Sequence, residues 1–295
     1  MIPFIPEWAV FGMMAATLSA LMMLMQERFR VDGFALAFWC KVSCVLVTLP
    51  FIVINGLPDS PFFYVILGLG AVIYAISDVV FFRAIPQVGA GMVSRILPAA
   101  VILSFLLWFV VKSDLIAKYA AAPVPSLLIF FVLCLSSWFA MNLRKCHVSM
   151  HAVRIIWFVI FAATIGPLIA KSVTLQADIQ QGPYAYVFVE ALMMMSLWAL
   201  YFFIRKPIPA AVMFSRHSWQ CGMLIGCVMA GMVLLNVLAF YFVDNPAYIP
   251  AIKFLDSFLI LMVYAATGRK SDGNVWAGLG IVVCAAFLIV LKAQV

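Results

Sequence analysis

The chain is built from long apolar runs separated by short polar links. Runs able to cross a membrane read at Trp8–Gln26, Gly33–Asn55, Phe62–Arg83, Met92–Val111 and Val124–Asn142. Five more follow at Ala152–Val173, Pro183–Phe203, Ser218–Val243, Ala247–Thr267 and Val275–Leu291. Each approaches the roughly 20 residues that a rise of about 1.5 Å per residue needs to cross a hydrocarbon core about 30 Å thick. None alternates apolar and polar positions with period two, which excludes β-barrel strands. The longest polar links lie near Arg144–His151 and Arg205–His217, too short for a soluble domain. The pattern predicts an all-α membrane protein of ten transmembrane helices.

Composition agrees. The 295 residues are 67% hydrophobic and only 10% charged, against roughly 25% charged in a soluble domain. So little charge cannot wet a water-facing surface, and the surrounding solvent is expected to be lipid. The net charge of +7 does not point to nucleic acid, because the cations stand in ones and twos between apolar runs. Cysteines 40, 44, 134, 221, 227 and 284 sit inside those runs as small hydrophobes, with no disulfide framework. The first run carries Glu7 and no basic flank, so it does not read as a cleaved signal peptide.

Lys and Arg in short links set orientation. Odd-numbered links and their flanks hold Arg28, Arg30, Arg83, Arg144, Lys145, Arg154, Arg205, Lys206, Arg216, Arg269 and Lys270. The other side holds Lys112, Lys118 and Lys292. The bias predicts a bacterial-type inner-membrane protein with both termini outside the cytoplasm.

Five runs plus five suggest a duplication, 1–143 and 144–295, and an odd unit forces the halves to be inverted. Ala15-Ala16-Thr17 with Leu21 recurs as Ala162-Ala163-Thr164 with Leu168. Lys41 falls opposite Glu190, and one constant spacing pairs Asp78 with Asn236, Arg95 with Lys253 and Pro98 with Asp256.

Seven ionisable residues fall within the runs: Lys41, Asp78, Arg95, Lys171, Glu190, Lys253 and Asp256. At roughly 2.5–3.5 kcal/mol each, their insertion cost is on the order of 15–25 kcal/mol before pairing. Net folding stability is about 5–15 kcal/mol, so these groups must pair or face water inside the bundle. A set of inert ion pairs is one reading, with Lys253 and Asp256 neutralising each other at i, i+3. A polar cavity is the other. Cations exceed carboxylates by one, which suits an anionic or zwitterionic solute. Lys41, Arg95 and Lys253 are candidates to bind carboxylate or phosphate; Asp78, Glu190 and Asp256 are candidate proton sites. Asn236, Tyr74 and Tyr248 join the expected substrate-binding set, with Trp39 and Trp157 as further possible walls. Pro98, Pro167 and Pro250 are expected kinks or hinges, each freeing a backbone carbonyl. Gly222-x-x-x-Gly226, Gly68 and Gly70 permit close helix approach.

No phosphate-binding Gly-x-x-x-x-Gly-Lys-Ser/Thr occurs, so nucleotide hydrolysis by the chain itself is excluded. His147, His151 and His217 lie in links, and Cys146-His147 with His151 has only loose metal-ligand character; no metal or other cofactor is expected. No nucleophile–base arrangement is evident, so the chain is not read as an enzyme. A membrane-embedded enzyme is the rival from another class.

The stretch Phe82–Leu107, FRAIPQVGAGMVSRILPAAVILSFLL, resembles the helix 3–4 signature of EamA-type transporters. Asn245–Leu291, NPAYIPAIKFLDSFLILMVYAATGRK followed by GNVWAGLGIVVCAAFLIVL, is similar to their helix 9–10 signature. In each, a short linker of small residues precedes an apolar helix. The resemblance is to the drug/metabolite transporter superfamily and spans the chain. It implies two inverted five-helix repeats around a central cavity lined by helices 1–4 and 6–9, with 5 and 10 peripheral. Members usually have cytoplasmic termini, contrary to the Lys/Arg bias here. The expected function is secondary transport of a small anionic or zwitterionic metabolite by alternating access, proton-coupled or by exchange. The alternative within transport is a flippase for a polyprenyl-phosphate-linked sugar or another anionic lipid, which needs a lateral opening.

Overall fold

The computed structural model describes residues 5–88, 99–143, 150–268 and 273–292. These residues fold into helices α1 (Glu7–Phe29), α2 (Gly33–Asn55), α3 (Pro61–Val88), α4 (Ala99–Val111), α5 (Asp114–Ala121) and α6 (Pro123–Met141). The second half adds α7 (Met150–Thr174), α8 (Gly182–Arg205), α9 (Ala210–Met213), α10 (Arg216–Tyr241), α11 (Tyr248–Lys253), α12 (Leu255–Ala266) and α13 (Val275–Lys292). Among the described residues, nine helical segments are long and apolar enough to span a membrane, α11 and α12 together making one.

Helix starts follow local chemistry. The Asp32 carboxylate accepts from the backbone N–H groups of Phe34 and Ala35 at 2.9 and 3.2 Å, opening α2. Ser215 Oγ accepts from Ser218 N at 3.1 Å and opens α10. The surface is inverted relative to a soluble protein: Ile54, Val110 and Trp276 are 78%, 80% and 81% exposed, while Lys41, Glu190, Lys171 and Asp256 are buried. Water would not tolerate the first arrangement, nor lipid the reverse.

Sequence pattern and structure differ in three places. The expected run Met92–Val111 is described only as α4, from Ala99; Arg95 and Pro98 lie outside the described residues. After α4 the chain bends by 114° into α5, where the sequence pattern predicts only a link. Finally, the ninth run divides at Phe254 into α11 and α12, with Phe254 itself still in the right-handed helical region and the span running on from Tyr248 to Ala266. Pro250 is not the cause expected for a kink there. It occupies the first turn of α11, where a missing N–H leaves no intrahelical bond unmade. Pro167 does lie inside α7, removing the donor for the Ala163 carbonyl.

In the bundle, α10 packs along α1 and α2, and α3 packs along α7 and α8. Helix α2 meets α8, and α6 meets α13. Helix α1 meets α11 and α12, while α7 meets α4.

Candidate functional site

A central cavity of about 320 Å³ opens between α1, α3, α4, α7, α8, α10, α11 and α12. Helices α6 and α13 contribute no lining side chain. Its polar lining is Ser19, Tyr74, Ser77, Asp78, Tyr186, Asn236, Lys253 and Asp256; methionines and aromatic residues supply much of the rest.

Asp78 and Asn236 each present an unsatisfied acceptor. Asp78 Oδ2 and Asn236 Oδ1 are buried and accept no hydrogen bond. A buried acceptor left unmade costs about 1–3 kcal/mol, which a bound water or solute donor recovers. Behind Asp78 stands Lys41, whose Nζ lies 3.6 Å from Asp78 Oδ2 and donates to Glu190 Oε2 at 2.8 Å. Lys41 and Glu190 do not themselves line the cavity. They form the wall that holds Asp78, with one ammonium shared between two carboxylates.

Lys253 and Asp256 also line the cavity. Among the described residues no close ion pair joins them, and Asp256 accepts from Ser19 Oγ at 3.0 Å and Ser257 Oγ at 3.1 Å. The Lys253 ammonium makes no hydrogen bond or ion pair among the described residues. Sequence reading missed Ser19 and Ser257. A hydroxyl in an apolar run gives little warning of its role, although Ser257 beside an intramembrane Asp was a usable sign.

Tyr74 lines the cavity and donates to the Gly166 carbonyl at 3.0 Å, next to Pro167. Tyr248 is a correction: it does not reach the cavity. Its hydroxyl pairs with that of Tyr119, and its ring packs between Trp8 and Phe105. Trp39 is occupied by the Met213 carbonyl at 2.8 Å, and Trp157 is 61% exposed on the outer surface. Lys171 is also outside the cavity. It donates to Phe240 O at 2.7 Å, as Lys292 does to Phe242 O at 2.8 Å, so both serve carbonyls at the end of α10.

Near that end, Asp244 accepts from Lys118 at 2.7 Å. Burial raises its carboxyl pKa, but the Lys118 hydrogen bond and charge, with Lys292 and Lys171 beyond, hold it below the ordinary aspartate value.

Helical spans with an apolar exterior and buried charges define an all-α, multi-pass membrane protein. No family model matches the chain, and no curated protein matches it. A solved structure described as "Crystal structure of protein" is similar over 97% of this chain and 98% of its own, at 14% identity and a TM-score of 0.66. That likeness is one of fold alone.

Proposed function

We propose that the protein is a secondary transporter of a small zwitterionic or anionic metabolite, working by alternating access between two inverted five-helix halves of the drug/metabolite transporter type. The observation that carries this is the cavity itself. Lys253, Asp256, Asp78 and Asn236 all line it, and the buried Asn236 Oδ1 and Asp78 Oδ2 accept no hydrogen bond, Asp78 keeping only the Lys41 ammonium at 3.6 Å. Such groups at bilayer depth are costly unless water or a solute meets them.

Paired contacts support the repeat. The packing of α10 on α1 and α2 has its counterpart in that of α3 on α7 and α8. Gly33 lies against Arg83 and Gly182 against Tyr241, contacts that the spacings Lys41–Glu190 and Asp78–Asn236 relate to each other. Lys41 and Glu190, at equivalent positions, touch directly, as two points on a pseudo-two-fold axis must. In this reading Asp78, Glu190 and Asp256 are the proton-coupling carboxylates, and the repeat spacing pairs Arg95, which lies outside the described residues, with Lys253. The Lys/Arg bias puts the termini outside the cytoplasm of a bacterial-type inner membrane. The chain is a carrier and not an enzyme. The metabolite reading is preferred to the flippase because the charged groups line the interior cavity. The groove between α3 and α8 that opens toward lipid is lined by apolar residues and Ser196 only.

Thermal-shift screening of purified protein against metabolite classes tests the proposal, since a ligand of the folded state stabilises it by mass action. Zwitterions or carboxylates should raise the melting temperature and be taken up by liposomes. No shift with any class, and no uptake, would remove the proposal.

A further inference from the structure

Outside the cavity, the end of α10 gathers cations from four parts of the chain. Lys171 of α7 donates to Phe240 O, Lys292 of α13 to Phe242 O, and Lys118 of α5 to Asp244 Oδ2. Lys112, just past α4, stands within electrostatic reach of Lys171. Capping accounts for part of this, since cations at a helix C-terminus offset its exposed carbonyls. It does not account for the surplus. The charged groups acting on Lys171 are Asp244, Lys292 and Lys112, and those acting on Lys292 are Asp244 and Lys118. Asp244 is the one carboxylate among these neighbours. Even with Asp114, one turn before Lys118 on α5, four ammoniums meet two carboxylates.

The donors are also underused. An ammonium carries three N–H groups, and Lys118, Lys171 and Lys292 each use one in the contacts above. Lys112 makes no hydrogen bond or close ion pair among the described residues. Lys171 is buried, but Lys118 is exposed and Lys112 and Lys292 are partly so. Their spare donors can reach a ligand.

The neighbouring surface selects that ligand. Val110 and Val111, the last residues of α4 before Lys112, are exposed, as is Ile116 of α5. Helix α5 turns 114° from α4, so it runs across the span and not along it, as a helix in the bilayer interface does. Surplus ammonium beside lipid-facing apolar side chains matches a phosphate that carries acyl chains. A free phosphate would use only the cations, and a zwitterionic headgroup would bring a further cation among them. We propose that Lys112, Lys118 and Lys292 seat the phosphate of an anionic membrane phospholipid whose acyl chains lie against α4. The site is independent of the carrier reading. Bound there, the lipid ties α4, α5 and α13 to one end of α10, so its occupancy reads out as stability.

The test is thermal unfolding of delipidated protein in detergent, titrated with phosphatidylglycerol or with phosphatidylcholine of the same acyl chains. Phosphatidylglycerol should raise the melting temperature; phosphatidylcholine, inorganic phosphate and glycerol phosphate at the same concentration should not. Lys112→Gln with Lys118→Gln should weaken the apparent affinity for phosphatidylglycerol roughly 30-fold, at about a fivefold loss per interfacial lysine. Each variant is read against its own lipid-free melting temperature, so a weakened fold does not pass for weakened binding. Arg216→Gln removes an exposed cation at the opposite end of α10 and should leave the response unchanged. Equal stabilisation by phosphatidylcholine would overturn the proposal, as would a response that survives in the double lysine variant or falls equally in Arg216→Gln. Inorganic phosphate acting as well as the lipid would make the cluster an ion site and overturn the lipid assignment.

Discussion

Lys41 Nζ donates to Glu190 Oε2 at 2.8 Å, joining α2 to α8. Both side chains are buried, so the bond works in a medium where an unpaired charge is expensive. Because Lys41 also lies 3.6 Å from Asp78, the two ends of the bond are not equivalent. Lys41→Met strands two buried carboxylates and should destabilise the detergent-solubilised protein by about 3–5 kcal/mol. Glu190→Gln leaves the ammonium paired with Asp78 and should cost less. Thermal unfolding of the two variants checks the ordering; a Glu190→Gln loss as large as that of Lys41→Met would refute it.

Lys253 makes no hydrogen bond or close ion pair among the described residues, so its loss should cost binding more than stability. Lys253→Met is expected to weaken affinity for an anionic or zwitterionic ligand by roughly 10- to 100-fold, as for a lost charged hydrogen bond of about 1.5–3 kcal/mol. The melting temperature without ligand should stay close to wild type. Ligand titration by thermal shift reads both quantities.

Gly226 and Gly68 should respond differently to the same methyl group. Gly226→Ala forces a Cβ against Ser43 and Cys40 and should destabilise by about 1–3 kcal/mol. Gly68→Ala meets only ordinary contact with Met193 and should stay within about 0.5 kcal/mol of wild type. Equal losses in thermal denaturation would contradict this difference in packing.

Asp244 gives a pH signature. Its carboxyl titrates below the ordinary 3.8 in the folded protein, so the stability it adds is present above that value and is lost as pH falls through the folded pKa. Because Lys118 and Asp244 are 43% and 50% exposed, the pair is worth less than about 1 kcal/mol. Asp244→Asn should lower the melting temperature slightly at neutral pH, and the gap to wild type should close below about pH 3.8. A gap that widens on acidification would show the opposite linkage.

The spans were legible in the sequence because length and apolarity are all that a bilayer asks of a helix. Element α5 was not, since eight residues, Asp114–Ala121, fall far short of a span and read as a loop. Buried charge marked Lys41, Asp78, Glu190, Lys253 and Asp256 without revealing their partners. The i, i+3 spacing puts Lys253 near Asp256 without fixing which group holds the carboxylate, and Asp256 accepts from Ser19 and Ser257. Tyr248 was misplaced because an aromatic residue near a helix start reads the same whether it turns to a cavity or to a neighbouring Tyr119. Lys171 looked intramembrane by position, but its long stem carries the ammonium to the end of α10.

The charge pair at the centre also bears on ancestry. If the halves descend from one five-helix unit, a symmetric dimer of that ancestor would have set two lysines or two glutamates face to face at this point. Opposite signs became possible only after fusion let the two copies drift apart, so the Lys41–Glu190 bond records divergence that a pair of identical chains had no means to encode.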